Sequence, residues 1–151
     1  MKTLLIVAHS PSANTQALRD ALAEGARAEG RINTVVLSPF DTDAEAIIQA
    51  DGLILFTTEN FGYMSGALKD LFDRTYYQVI DDKRGLPYAL MIRAGKDGTG
   101  ARRATESITL GLGWSKVQEA LILQGEFKAE FLSQASELAE GFAVGLAEGI
   151  F

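Results

Sequence analysis

Five short apolar runs recur along the chain, each followed by a longer stretch with apolar residues at helical spacing. That alternation limits the fold more than any other feature. The runs are Thr3 to Ala8 (TLLIVA), Thr34 to Leu37 (TVVL), Gly52 to Phe56 (GLILF), Pro87 to Ile92 (PYALMI) and Lys116 to Leu123. The first four are rich in apolar residues and lack polar alternation, which is the pattern of strands buried on both faces. Helices are expected from Asn14 or Thr15 to Glu29, Asp43 to Ala50, Ser65 to Tyr77, Thr99 to Leu112 and Lys128 to Glu148. In the last of these Phe131, Leu132, Ala135, Leu138, Phe142 and Leu146 form one stripe.

Five βα units without a repeat or a linker predict one α/β domain over residues 1–151, with a parallel sheet covered on both faces. Right-handed crossovers restrict the topology, and five strands in a chain of this size favour the order 2-1-3-4-5. Ligands of such sheets sit outside the carboxyl ends of the strands, where the order reverses between strands 1 and 3. The segments that matter for function are therefore 9–16, 57–66 and 94–100.

Composition removes several function classes. There are no cysteines, which excludes disulfides, thiolate catalysis and thiolate metal sites. The formal net charge is −6 and no basic stripe occurs, so a nucleic-acid surface is not expected. No run approaches the roughly 20 apolar residues of a membrane span, and the N-terminus lacks the marks of a signal peptide. A cytoplasmic protein is the expectation. Neither G-x-G-x-x-G nor a Walker loop is present.

The first segment, HSPSANTQ, carries Ser10, Ser12, Asn14, Thr15 and Gln16 at the start of a helix and contains no Lys or Arg. Hydroxyls beside free helix amides suit a phosphate monoester, and they equally suit a plain N-cap. His9, the only histidine, ends the strand without a visible partner. The second segment begins with Thr57, Thr58, Glu59 and Asn60 and continues through Phe61, Gly62, Tyr63 and Met64. It holds no nucleophile or metal ligand. Aromatic side chains grouped there need a cover, either a planar ligand or protein. The third segment, Ala94, Gly95, Lys96, Asp97, Gly98, Thr99 and Gly100, exposes backbone amides that could meet a ligand edge, or it is only a turn. Together the three describe a ligand with a phosphate at one end and a polar-edged ring at the other.

With these residues in view, the chain resembles the flavodoxin-like superfamily, and within it the NAD(P)H-dependent FMN and quinone reductase branch. The resemblance is carried by S10-P-S-A-N-T15 and by N60-F-G-Y-M-S-G-A-L-K69 with D73-R74. Ser65, Gly66, Leu68, Lys69 and Asp73 match the branch's second motif, whereas Thr58 stands where relatives often have proline and Asn60 where many have tyrosine. The resemblance implies a three-layer sandwich binding FMN. Ser10, Ser12, Asn14 and Thr15 would hold its phosphate, and Gln16 would lend an amide. Thr58, Glu59, Asn60, Phe61, Gly62 and Tyr63 would lie at its ring, Phe61 being the better stacking candidate. Ala94, Gly95, Lys96, Asp97 and Gly98 would close over its pyrimidine edge or ribityl chain. It further implies NAD(P)H as co-substrate, a small quinone-like acceptor, and a homodimer or homotetramer. Lys83, Arg84, Lys96, Arg102 and Arg103 are the cations expected near the ligand edge. The rival readings are a flavodoxin-type electron carrier and a cofactor-free binding module of the same fold.

Overall fold

The computed structural model describes all 151 residues. The first apolar run forms β1 (Thr3–Ala8), and its side chains divide between two cores. Leu4, Ile6 and Ala8 face one, Leu5 and Val7 the other. This is the period-2 consequence of a central strand. Helix α1 (Ala13–Ala28) leads to β2 (Asn33–Leu37), a 3-10 turn at Pro39–Asp41, α2 (Ala44–Gln49) and β3 (Gly52–Asn60). Then follow β4 (Tyr63–Met64), α3 (Gly66–Val79), β5 (Pro87–Ala94), α4 (Thr99–Leu112), β6 (Ser115–Lys116), β7 (Leu121–Gln124) and α5 (Glu130–Ala147).

The main sheet is parallel and runs β2-β1-β3-β5, with β6 and β7 both paired to β5. The expected order 2-1-3-4-5 is thus present, with seven strands in place of five. One extra strand arises because the fifth apolar run is interrupted: Val117–Ala120 bulges between β6 and β7, placing Gln118 and Glu119 in solvent. The other is β4, which folds back antiparallel on an extended β3. Residues 57–60, expected as loop, are strand.

Helices α1 and α5 cover one face, burying Leu18, Leu22, Leu138 and Phe142 against Ile54 and Phe56. Helices α2, α3 and α4 cover the other, with Leu68, Leu71, Phe72, Ala101 and Leu112 against Leu55 and Leu90. Tyr76 and Tyr77 lie in the last turns of α3. Trp114 is buried between Phe72 and Tyr88. The C-terminal Phe151 ring packs back on Phe142, 5.1 Å between centroids. No helix is long and apolar enough to cross a membrane.

Candidate functional site

At the end of β1 the chain turns through Ser10 and Pro11 into α1. Ser12 is the N-cap: its hydroxyl accepts from the Thr15 amide at 3.2 Å, and the Thr15 hydroxyl accepts from the Ser12 amide at 2.9 Å. This reciprocal pair is a capping box in which a threonine takes the position usually held by Glu or Gln. The amides of Ser10, Ala13 and Asn14 make no hydrogen bond within the protein. Three unpaired N–H groups at the positive end of α1 are thus available to an anion. Pro11, Ser12 and Asn14 are exposed, while Thr15 is buried. His9 donates its amide to the Phe56 carbonyl, and burial lowers its imidazole pKa below the ordinary 6.5.

The sequence places no cation in this loop, yet one reaches it. Arg19, two turns into α1, donates from Nη1 to the Ser10 hydroxyl at 3.3 Å and from Nε to Asp20 at 3.0 Å. Helical spacing from the N-cap was the available signal.

The second segment is a tight hairpin. Glu59 pairs with Met64 and Asn60 with Tyr63, leaving Phe61 and Gly62 as a two-residue turn. Both have positive φ, 54° and 71°, the mark of a type I′ turn. Phe61 is the only non-glycine residue with positive φ, and its side chain is fully exposed, at 106%. A bulky residue in that region is strained, and such strain clusters at functional sites. The hairpin is anchored beneath by Thr57, whose buried hydroxyl accepts from the Ser65 amide at 3.0 Å. Ser65 in turn caps α3 through Leu68. Thr58 donates to the Asn60 side-chain carbonyl at 3.2 Å. Met64 is buried, whereas Tyr63 is 43% exposed.

The third segment meets the hairpin directly. Gly98, at φ 86°, is the N-cap of α4 and has no side chain to offer. Glu59 supplies the missing acceptor, taking the Gly98 amide at 2.9 Å and the Ala101 amide at 3.0 Å. Its carboxylate is therefore engaged by α4, and the amides of Gly98 and Ala101 are spoken for. Those of Gly95, Lys96 and Asp97 make no hydrogen bond within the protein. Asp97 accepts from the Thr99 hydroxyl, and Lys96 extends into solvent.

The motif residues Lys69 and Asp73 pair with each other at 2.6 Å on α3. A Cβ on Gly66 would meet open space, so close helix approach does not explain this glycine. The close approach occurs at Gly100 instead. Lys83 and Arg84 line a depression with Asp51 and Pro87 and so lie at the amino edge of the sheet, away from the three segments. Arg102 is paired with Glu106 on α4. The remaining two expected cations, Lys96 and Arg103, are exposed and have no ion-pair partner. Arg93, just past the expected end of the fourth strand, pairs in register with Thr58. It donates to the carbonyls of Ala94 and Leu123 and lies over the Phe131 ring at 5.2 Å.

The three segments form an open edge, and none of the molecule's cavities is built from them. The largest groove, about 590 Å³, runs between α1 and α5 past Asp20, Glu24 and Glu137. Those carboxylates would repel a phosphate, so the carboxyl edge is the better ligand site despite being shallower.

The profile of the family described as NADPH-dependent FMN reductase matches residues 39–128. The chain belongs to that family. The match spans the hairpin and the third segment but begins after the phosphate-type loop. An archaeal flavodoxin has the same fold, with a TM-score of 0.82 at 18% identity, over 97% of this chain and 99% of that one. So has a WrbA-like flavodoxin from Agrobacterium tumefaciens, TM-score 0.78 at 17% identity, covering 98% and 99%. The NADH:FMN oxidoreductase EMOB, in its apo form, aligns with TM-score 0.75 at 14% identity over 96% and 90%. No curated protein matches the chain in sequence. The fold is flavodoxin-like, and membership of the FMN reductase family makes the chain a flavin-binding oxidoreductase. The donors on the carboxyl edge fit FMN: unpaired amides at α1 for a phosphate, an exposed aromatic ring, and unpaired amides at Gly95–Asp97 for a polar ring edge.

Proposed function

We propose that this family member is a single-domain, cytoplasmic reductase that uses FMN to carry reducing equivalents from NAD(P)H to a small quinone-like acceptor. The observation that carries the reading is the convergence on one sheet edge of two groups of unpaired amides, with the strained, exposed Phe61 beside them. FMN, when bound, supplies the hydride and electron chemistry, so the chain needs no nucleophile of its own.

The residues divide the remaining work. Ser10, Ser12, Asn14, Thr15 and Gln16 receive the phosphate, with the amides of Ser10, Ala13 and Asn14 as donors and Arg19 as the nearest cation. Thr58, Asn60, Phe61, Gly62 and Tyr63 flank the ring, and Glu59 contributes through its backbone. Ala94, Gly95, Lys96, Asp97 and Gly98 meet the ring's polar edge, where N–H donors favour added negative charge. Lys96 and Arg103, free of carboxylates, are available to the phosphates of a nicotinamide nucleotide. The open edge leaves a ring face accessible to one small molecule after another. A second copy of the chain could cover the same edge, as a homodimer or homotetramer.

The acidic surface, with net charge −6, favours a second reading, an electron carrier that docks on a basic protein. The test is oxidation of NADH and NADPH by the FMN-loaded protein, with menadione as acceptor. Turnover with either nucleotide supports the reductase. Flavin binding without nucleotide oxidation supports the carrier.

A further inference from the structure

Helix α4 begins without a local cap. Its N-cap is Gly98, held at φ 86° with Ile122 packed where a Cβ would stand. A local capping box would satisfy the N-cap amide and the third helical amide with two side chains. Here a single carboxylate from β3, 39 residues earlier, satisfies both: Glu59 accepts from Gly98 at 2.9 Å and from Ala101 at 3.0 Å. Glu59 also pairs with Met64 at the base of the hairpin whose turn is Phe61-Gly62. At the turn's other side, the Gly62 carbonyl abuts Gly100 in the first turn of α4. The hairpin and the glycine loop are thus clamped at two points.

Resting on the flavin reading above, we infer that Glu59 is a positioning residue. Its carboxylate fixes the exposed Phe61 turn at a set distance from the unpaired amides of Gly95, Lys96 and Asp97, and so pre-forms the ring end of the open edge. Two charge-assisted hydrogen bonds to backbone are among the stronger ties available to a loop. The only other carboxylate contact between the Lys96–Gly98 turn and α4 is local, Asp97 accepting from the Thr99 hydroxyl, and it does not reach the hairpin. Without Glu59 the loop gains freedom that a ligand must then remove, and affinity falls by that ordering cost.

The experiment compares wild type, Glu59→Gln and Glu59→Ala. It titrates each with FMN and with riboflavin, well below the melting transition, and follows deuterium exchange at the Gly98 and Ala101 amides. Glu59→Gln keeps the shape and one acceptor oxygen, which guards against simple misfolding of the alanine variant. The expected result is that both dissociation constants rise together, about tenfold in Glu59→Ala and less in Glu59→Gln, with faster exchange at both amides. Unchanged affinity for both flavins in a folded Glu59→Ala protein overturns the inference. So does a loss confined to FMN, which would place the effect at the phosphate end. A wild-type protein that takes up neither flavin overturns the flavin reading instead. The exchange rates alone then decide whether the carboxylate ties the two segments, with wild-type rates in Glu59→Ala overturning the tie.

Discussion

The α-carbon of Gly100 lies against the carbonyl of Gly62 so closely that a Cβ at position 100 would overlap backbone. The turn of one hairpin and the first turn of a helix almost forty residues later form one block. Neither neighbour can yield by rotating a side chain. Gly100→Ala should therefore destabilise the protein by about 1–3 kcal/mol, the usual cost of overpacking. It should also push Phe61 away from the glycine loop. Urea denaturation and FMN titration check the two effects separately.

Phe61 carries its strain openly. Asparagine tolerates positive φ and would make the turn Asn-Gly, the preferred type I′ pair. Phe61→Asn should stabilise the fold by about 1 kcal/mol. It should also weaken flavin binding several-fold through loss of about 1 kcal/mol of stacking. A variant that gains stability and keeps full flavin affinity would remove Phe61 from the site.

Ser12 serves the helix and, on the proposed reading, the phosphate. Ser12→Ala should cost about 1 kcal/mol of stability as a lost N-cap. It should raise the FMN dissociation constant while leaving riboflavin, which has no phosphate, unchanged. Equal losses for both ligands would count against a phosphate cradle at α1.

His9 gives a pH signature. Burial lowers its folded pKa below 6.5, so as pH falls below about 6.5 the unfolded chain takes up a proton that the folded one resists. The stability associated with a neutral His9 is complete above that pH and is lost as pH drops toward the folded pKa. Denaturation midpoints from about pH 7.5 to about pH 5 should decline more for wild type than for His9→Gln. Parallel declines would show that another group governs this range.

Much of this architecture was legible in the chain itself, because buried strands and amphipathic helices leave period-2 and period-3.6 marks. TLLIVA could hardly be anything but a central strand, and the boundaries of α4 at Thr99 and Leu112 follow directly from its flanking glycines. What escaped were features set by contacts between distant segments. Thr57 to Asn60 looked like loop because the strand's last residues are polar. They stay extended because β4 folds back on them and Thr57 anchors Ser65. Lys83 and Arg84 were expected at the ligand edge, since charge says nothing of which end of a strand a loop joins. Glu59 was expected beside a ring, and its partners lie on α4. Arg19 went unassigned because only the helix brings it back to Ser10.

The central claim is that three separate segments assemble one crevice for a phosphorylated flavin. Titrating the purified protein, stripped of any bound flavin, into FMN tests it most directly, read by flavin fluorescence. Saturable quenching at one FMN per chain, tighter than for riboflavin, supports the crevice. A folded protein that leaves FMN fluorescence unchanged contradicts it.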